Sequence, residues 1–152
     1  MQKTTFAAGC FWGVEAEFKK LKGVRSTTCG YTGGQKENPT YKEVYTGETG
    51  HAEAVEIEFD ENVISFEELL NAFWNMHDPT TLNRQGPDVG SQYRSAIFYF
   101  SDEQKKLAEN SREALKNSKI ITEIVPASKF WPAEDYHQDY FDKNPDTYCH
   151  TK

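Results

Sequence analysis

Polar and apolar residues alternate along His51-Ala52-Glu53-Ala54-Val55-Glu56-Ile57-Glu58-Phe59, the clearest strand signal in the chain. Period two sends Val55, Ile57 and Phe59 to one face and Glu56 and Glu58 to the other. The same parity puts Glu53 on the apolar side. Either this carboxyl faces the core, which is costly unless it is paired or protonated, or the strand has already emerged there and Glu53 meets water. Ser65-Phe66-Glu67-Glu68 has capping-box spacing, and Phe66, Leu69, Leu70 and Phe73 follow at helical intervals. A helix is predicted from Phe66 to about Met76, ending before Asp78-Pro79. Ser101 to Gln104 repeats the cap spacing and opens a helix to about Asn117.

Shorter patterns fill the rest of the chain. Thr4–Ala8, Val24–Tyr31, Ser95–Phe100 and Ile120–Val125 read as strands, and Phe11–Lys20 as a helix closed near Gly23. Gln35–Gly50 and Asp78–Tyr93 are polar, carry little periodicity, and read as long irregular segments of the kind that often carry function. Phe130 to Phe141 is expected to hold a short helix with Pro132 in its first turn. Asn144 to Lys152 reads as a polar tail. Strands separated by helices imply one α/β layer structure, whose sheet order the pattern leaves open.

At 152 residues the chain fits a single domain. Seventeen basic against 24 acidic residues give a net charge of −7, and no basic stripe appears. Nucleic acid and anionic membranes are therefore not expected partners, and no apolar run approaches a membrane span. Ala7-Ala8-Gly9-Cys10 superficially resembles a lipoprotein cleavage site. The apolar stretch before it is shorter than the roughly 7–15 residues of a secretory h-region, so a cytoplasmic protein is expected. Three cysteines, Cys10, Cys29 and Cys149, lack CxxC spacing. An individually reactive thiol fits them better than a disulfide framework.

Cys10 sits between an apolar run and a helical pattern, which places it at a helix N-terminus. Unpaired N–H groups there favour a thiolate. Phe11 and Trp12 follow directly, where a turn is normally polar. Cys10 is then either a small buried packing residue or a nucleophile beside an aromatic wall. Three kinds of chemistry remain open. One is thiol redox chemistry with Cys149 in the tail as partner. Another is acyl transfer with a base among His51, His77, His137 and His150, where His51 lies close to the inward Glu53. The third is a non-enzymatic metal or partner site built from the Cys and His residues, and their spacing is poor for a metal. Cys29, inside a strand, reads as filler.

The motifs decide between these. Gly9-Cys10-Phe11-Trp12-Gly13, Gly30-Tyr31-Thr32-Gly33-Gly34, His51-Ala52-Glu53-Ala54-Val55 and His77-Asp78-Pro79-Thr80-Thr81 resemble the A-type peptide methionine sulfoxide reductases. So do the blocks Arg84 to Ser95 and Phe130 to Gln138, and together they span nearly the whole chain in the family's order. The resemblance implies an α+β fold: a two-layer α/β sandwich with a mixed, largely antiparallel sheet flanked by helices and extensive irregular loops. It implies one reductase domain over residues 1–152, with a mobile tail from about residue 143. The implied activity is reduction of the S-epimer of methionine sulfoxide, free or in proteins, by a monomer without metal or organic cofactor.

By the same resemblance Cys10 attacks the sulfoxide sulfur and Glu53 supplies a proton. Tyr41 and Tyr93 donate hydroxyls to the sulfoxide oxygen, and Asp88 orders the site. Phe11 and Trp12 receive the S-methyl group. Cys149 resolves the Cys10 sulfenic acid to a disulfide, which thioredoxin reduces. The chain has one tail cysteine where some relatives have two. Pro87 stands where the family usually has a residue with an N–H. No B-type domain follows, so activity on the R-epimer is not expected.

Overall fold

The computed structural model describes residues 1–145. In chain order the elements are β1 (Gln2–Ala8), α1 (Phe11–Lys19), β2 (Val24–Thr32), α2 (Tyr41–Tyr45), β3 (Ala52–Phe59) and α3 (Phe66–Met76). A hairpin of β4 (Arg84–Gln85) and β5 (Asp88–Val89) follows, then a 3-10 turn (Ser91–Tyr93) and β6 (Ser95–Tyr99). The chain continues through α4 (Asp102–Ala114), β7 (Glu123–Pro126), β8 (Trp131–Pro132), a second 3-10 turn (Asp135–His137) and α5 (Tyr140–Lys143).

Six strands form one sheet in the order β7-β6-β1-β3-β2-β8. Every pair is antiparallel except β6 with β7. This is the mixed, largely antiparallel α+β arrangement expected from the family resemblance. Register fixes the two faces. Phe6 lies opposite both Val55 and Ile97, and Cys29 lies opposite Val55, so these residues share one face. That face packs with Val14 and Phe18 of α1 and with Leu69, Leu70 and Phe73 of α3 in the main core. Phe6 stacks on Phe18 and on Phe73, each at 5.0 Å between ring centres. The opposite face is lined by small residues, Ala7, Ala52, Ala54 and Ala96, with Phe98, and is packed by Val125, Ala127 and Phe130.

Several readings of the pattern change. The polar segment 35–50 contains α2, opened by a capping box between Thr40 and Glu43. A helix this short shows no periodicity. The segment 78–93 contains the β4–β5 hairpin, whose two-residue turn is Gly86-Pro87. Pro87 costs nothing in that position, because no ladder bond requires its N–H. Strand β7 starts at Glu123 rather than Ile120, and α4 ends at Ala114, short of Asn117.

The expected helix over Phe130 to Phe141 is the largest difference. Trp131-Pro132 instead pairs with Tyr31 and Gly30 as an edge strand, where proline is tolerated. The Gln138 side chain then binds both the N–H and the C=O of Cys29, at 2.8 and 2.9 Å, as an added strand would. Helix appears only from Tyr140, after Asp139 turns the chain in the left-handed region at φ 53°. Lys143, where the tail was expected to begin, closes α5. Cys149 and His150 lie outside the described residues.

Glu15 ties this segment to the sheet. It is 1% exposed on α1 and accepts hydrogen bonds from Thr27 Oγ1 at 2.8 Å and from the Asp139 N–H at 2.8 Å. Burial pushes its carboxyl above the ordinary value of 4.5, outweighing the pull of those bonds. The folded protein therefore binds this proton more readily than the unfolded chain. The contribution of Glu15 to stability is fully present below pH 4.5, falls as pH rises through the folded value, and is constant beyond it. Glu15→Gln keeps the shape and one acceptor but cannot ionise. Its stability relative to wild type, measured by urea unfolding, should rise with pH above 4.5. A difference that does not change with pH would contradict this account.

Candidate active site

Gly9 adopts φ 97°, a left-handed conformation that favours glycine, and turns the end of β1 into α1. Cys10 is the residue at the helix N-cap, partly exposed, with its carbonyl accepting the Val14 N–H. The next N–H, that of Phe11, donates to Glu53 Oε1 at 3.2 Å. Glu53 is 2% exposed and shares the core face with Val55, opposite Tyr31 of β2. Of the two readings of its position, the inward one is correct. A buried carboxyl thus lies against the helix turn that carries the thiol.

These residues line a cavity of about 430 Å³ together with Phe11, Trp12, Tyr41, Asp88 and Tyr93. All seven described site residues expected from the sequence are therefore brought to one place. Pro87, Val89, Tyr45 and Gln92 also line it, and sequence reasoning did not single out the last three. Their signal was weak. Tyr45 and Val89 are exposed apolar residues in polar segments, and Gln92 is an ordinary amide within a motif block.

Each lining side chain has a local anchor. Phe11 is buried against the rings of Tyr31 and His137, at 5.7 and 5.1 Å. Trp12 lies flat on Tyr140 at 3.7 Å, and its indole N–H donates to His137 Nδ1 at 2.9 Å. Glu134 holds two more elements: one oxygen accepts the Tyr31 hydroxyl at 2.8 Å, the other the Tyr41 N–H at 2.9 Å. Burial pushes the Tyr41 phenol up, and nearby Glu53 and Cys10 add to this. Tyr93 is raised by burial and by Glu53 in the same way. Both phenols therefore keep their protons and remain donors.

None of the described histidines lines the cavity. His51 accepts the Gly34 N–H at Nδ1 and donates from Nε2 to Lys36 O at 2.7 Å, fastening the loop after β2. It is not a site residue, despite its closeness to Glu53 in sequence. His77 uses both nitrogens, on Phe73 O and Ser95 Oγ. His137 is pushed down by burial, which favours the neutral form. Cys29 is buried, with Sγ 3.4 Å from Glu15 Oε1, and burial holds its thiol well above the ordinary range.

The two described thiols should separate chemically. Iodoacetamide on the native protein should label Cys10 and leave Cys29 unmodified until denaturant is added, as read by peptide mass spectrometry. Labelling of native Cys29 at a rate similar to Cys10 would contradict the burial described here.

A family model described as peptide methionine sulfoxide reductase matches residues 2–152. The chain is 62% identical to the peptide methionine sulfoxide reductase MsrA of Methanococcoides burtonii, over 94% of this chain and 97% of that protein. Among solved structures it is similar to Mxr1 from Saccharomyces cerevisiae in reduced form, with a TM-score of 0.94 and 38% identity. That match covers 98% of this chain and 88% of the yeast chain. Mxr1 in complex with Trx2 is also similar, at a TM-score of 0.67 and 27% identity, over 99% of this chain and 86% of that one.

Proposed function

The chain belongs to the peptide methionine sulfoxide reductase family, and on that premise we propose that it reduces the S-epimer of methionine sulfoxide through Cys10. The observation that carries the reading is the Phe11 N–H bond to Glu53, which sets a buried carboxyl beside the Cys10 helix turn inside an aromatic-walled cavity.

The chemistry has two half-reactions. In the first, the Cys10 thiolate bonds to the sulfoxide sulfur while one proton goes to its oxygen. The OH then passes to the Cys10 sulfur as the sulfoxide S–O bond and the new S–S bond break, releasing methionine and leaving Cys10 as a sulfenic acid. Glu53 is the proposed proton donor to the sulfoxide oxygen, its carboxyl held at the Cys10 helix turn by the Phe11 N–H. The Tyr41 and Tyr93 phenols, kept protonated by burial, are the hydroxyl donors to that oxygen. Phe11 and Trp12 offer the S-methyl group ring surface without competing polar groups, and Asp88 at the start of β5 orders the polar side of the cavity.

In the second half-reaction a thiol condenses with the sulfenic acid and water is released. Cys149 is the proposed resolving thiol, since Cys29 is 0% exposed and bonded toward Glu15. Thioredoxin is the proposed reductant of the resulting disulfide, a reading supported by the similarity to the yeast protein in its Trx2 complex. Such a cycle suits a monomer in the cytoplasm, where thiols are kept reduced.

The proposal is tested by a single turnover without external reductant, mixing reduced protein with separated epimers of a methionine sulfoxide peptide. Methionine should form only from the S-epimer, with two thiols lost per methionine. Methionine from the R-epimer would reject the stereochemical assignment, and no methionine from either would reject the reaction. Cys149→Ser should release about one methionine per enzyme and then stall with thioredoxin; full turnover would reject its resolving role.

Glu53→Gln keeps a hydrogen-bonding group but has no carboxyl proton. Its single-turnover rate should fall on the order of 10²–10⁴-fold, the range for loss of a positioned general acid. An unchanged rate would place the proton donor elsewhere. Cys10→Ser should form no methionine at all.

A further inference from the structure

Among the cavity-lining residues, Gln92 has no part in the chemistry above, yet its side chain is 3% exposed. Its Nε2 donates to the carbonyl of Tyr45 at 3.0 Å. Because a carbonyl only accepts, this contact fixes which end of the amide faces α2. The other end is fixed by shape. Oε1 occupies the space that a side chain on Gly90 would need, since a Cβ there would collide with it. Oε1 also lies 3.4 Å from where a Cβ on Gly47 would be. The amide is thus clamped between the loop leaving α2 and the turn before Tyr93.

The two elements it joins carry the two phenols. Tyr41 opens α2 and Tyr45 closes it, so the helix is one short turn. Glu134 holds the Tyr41 end through the backbone N–H, and Gln92 holds the Tyr45 end through the carbonyl. Tyr93 follows Gln92 directly in the same 3-10 turn. Ser91 Oγ to Gly47 O, a longer bond at 3.5 Å, runs alongside.

We propose that Gln92 is a positioning residue for the reduction: its carboxamide sets the separation between the Tyr41 and Tyr93 hydroxyls across the cavity. The inference rests on the reading of those hydroxyls as donors to the sulfoxide oxygen. A donor displaced by about 1 Å can cost on the order of 10²-fold in rate, so a bridge between the two elements matters more than its hydrogen bond alone.

Two variants probe it. Gln92→Met keeps the length and loses the amide, while Gln92→Asn keeps the amide but is one methylene too short to reach Tyr45. Each is made in the wild-type protein and in a Tyr41→Phe, Tyr93→Phe background. The readouts are the single-turnover rate of methionine formation from the S-epimer peptide and the rate of Cys10 alkylation by iodoacetamide, which needs no hydroxyl donor. Both variants should lose about 10–100-fold in reduction in the wild-type background. They should lose nothing further where both hydroxyls are absent, because the effect acts through them. Alkylation should not change.

Equal losses in both backgrounds would overturn the proposal, as would no loss in the wild-type background. A parallel fall in alkylation would mean that Gln92 only maintains the fold around Cys10, and would also overturn it. A double Phe protein as fast as wild type would instead remove the hydroxyl assignment on which the inference rests.

Discussion

The hydrogen bond from the Phe11 N–H to Glu53 joins an early helix to a strand distant in sequence, and the candidate site depends on it. The first turn of a helix leaves N–H groups without intrahelical partners. Here one of them meets a carboxyl that the pleat of β3 directs into the core. The same helix turn carries Cys10. Two features that are costly alone, an orphan donor and a buried acid, therefore offset each other beside the turn that carries Cys10, where the proposed reaction sets a thiol next to a proton donor. Shifting the β3 register by one residue would send Glu53 to the Ala52–Ala54 face and leave the helix end without it.

Around that pairing the structure uses aromatic rings as a frame. His137 is central to it: it accepts from the Trp12 indole and packs against Phe11 and Tyr41, with ring centres 5.1 and 4.4 Å away. Trp12 is further held by Tyr140, so the wall of the cavity is set by residues of the 3-10 turn and α5, far along the chain from Cys10. Glu15 and Lys19 of α1 fasten the same segment through Asp139. Helix α1 thus presents Cys10 at its start and anchors the last described helix along its length.

Regular elements were legible because period and capping are local. The alternation from Val55 to Phe59 identifies β3, and the Ser65 cap with the Leu69-Leu70-Phe73 stripe identifies α3. Parity alone put Glu53 on the core side, although it could not say whether the strand was still buried there. The neighbourhood of Phe11, Trp12, Tyr41, Asp88 and Tyr93 was legible only through the order of the motif blocks, since nothing local links five segments so far apart. The miss at Phe130–Phe141 has a different cause. Pro132 is compatible with both a helix start and a sheet edge, and the choice was made by Gly30: a Cβ there would collide with the Phe130 ring and the Trp131 carbonyl. Such a close approach of two strands leaves no periodic trace.

Irregular chain has its own physical requirement. Backbone groups that the helix and sheet ladders leave unpaired still need partners, and side chains supply several of them here. Gln138 serves the N–H and C=O of Cys29, Gln85 does the same for Asp78, Gln92 serves Tyr45, and His51 spans Gly34 and Lys36. Gln85, Gln92 and His51 are buried and Gln138 is half-buried, though Gln85 and Gln92 sit in a polar stretch that reads as irregular. Removing one leaves a part-buried backbone donor or acceptor without its partner. Polar composition in this chain therefore marks internal fasteners as well as solvent-facing loops. The loops they hold are those that bring Tyr41, Asp88 and Tyr93 to Cys10.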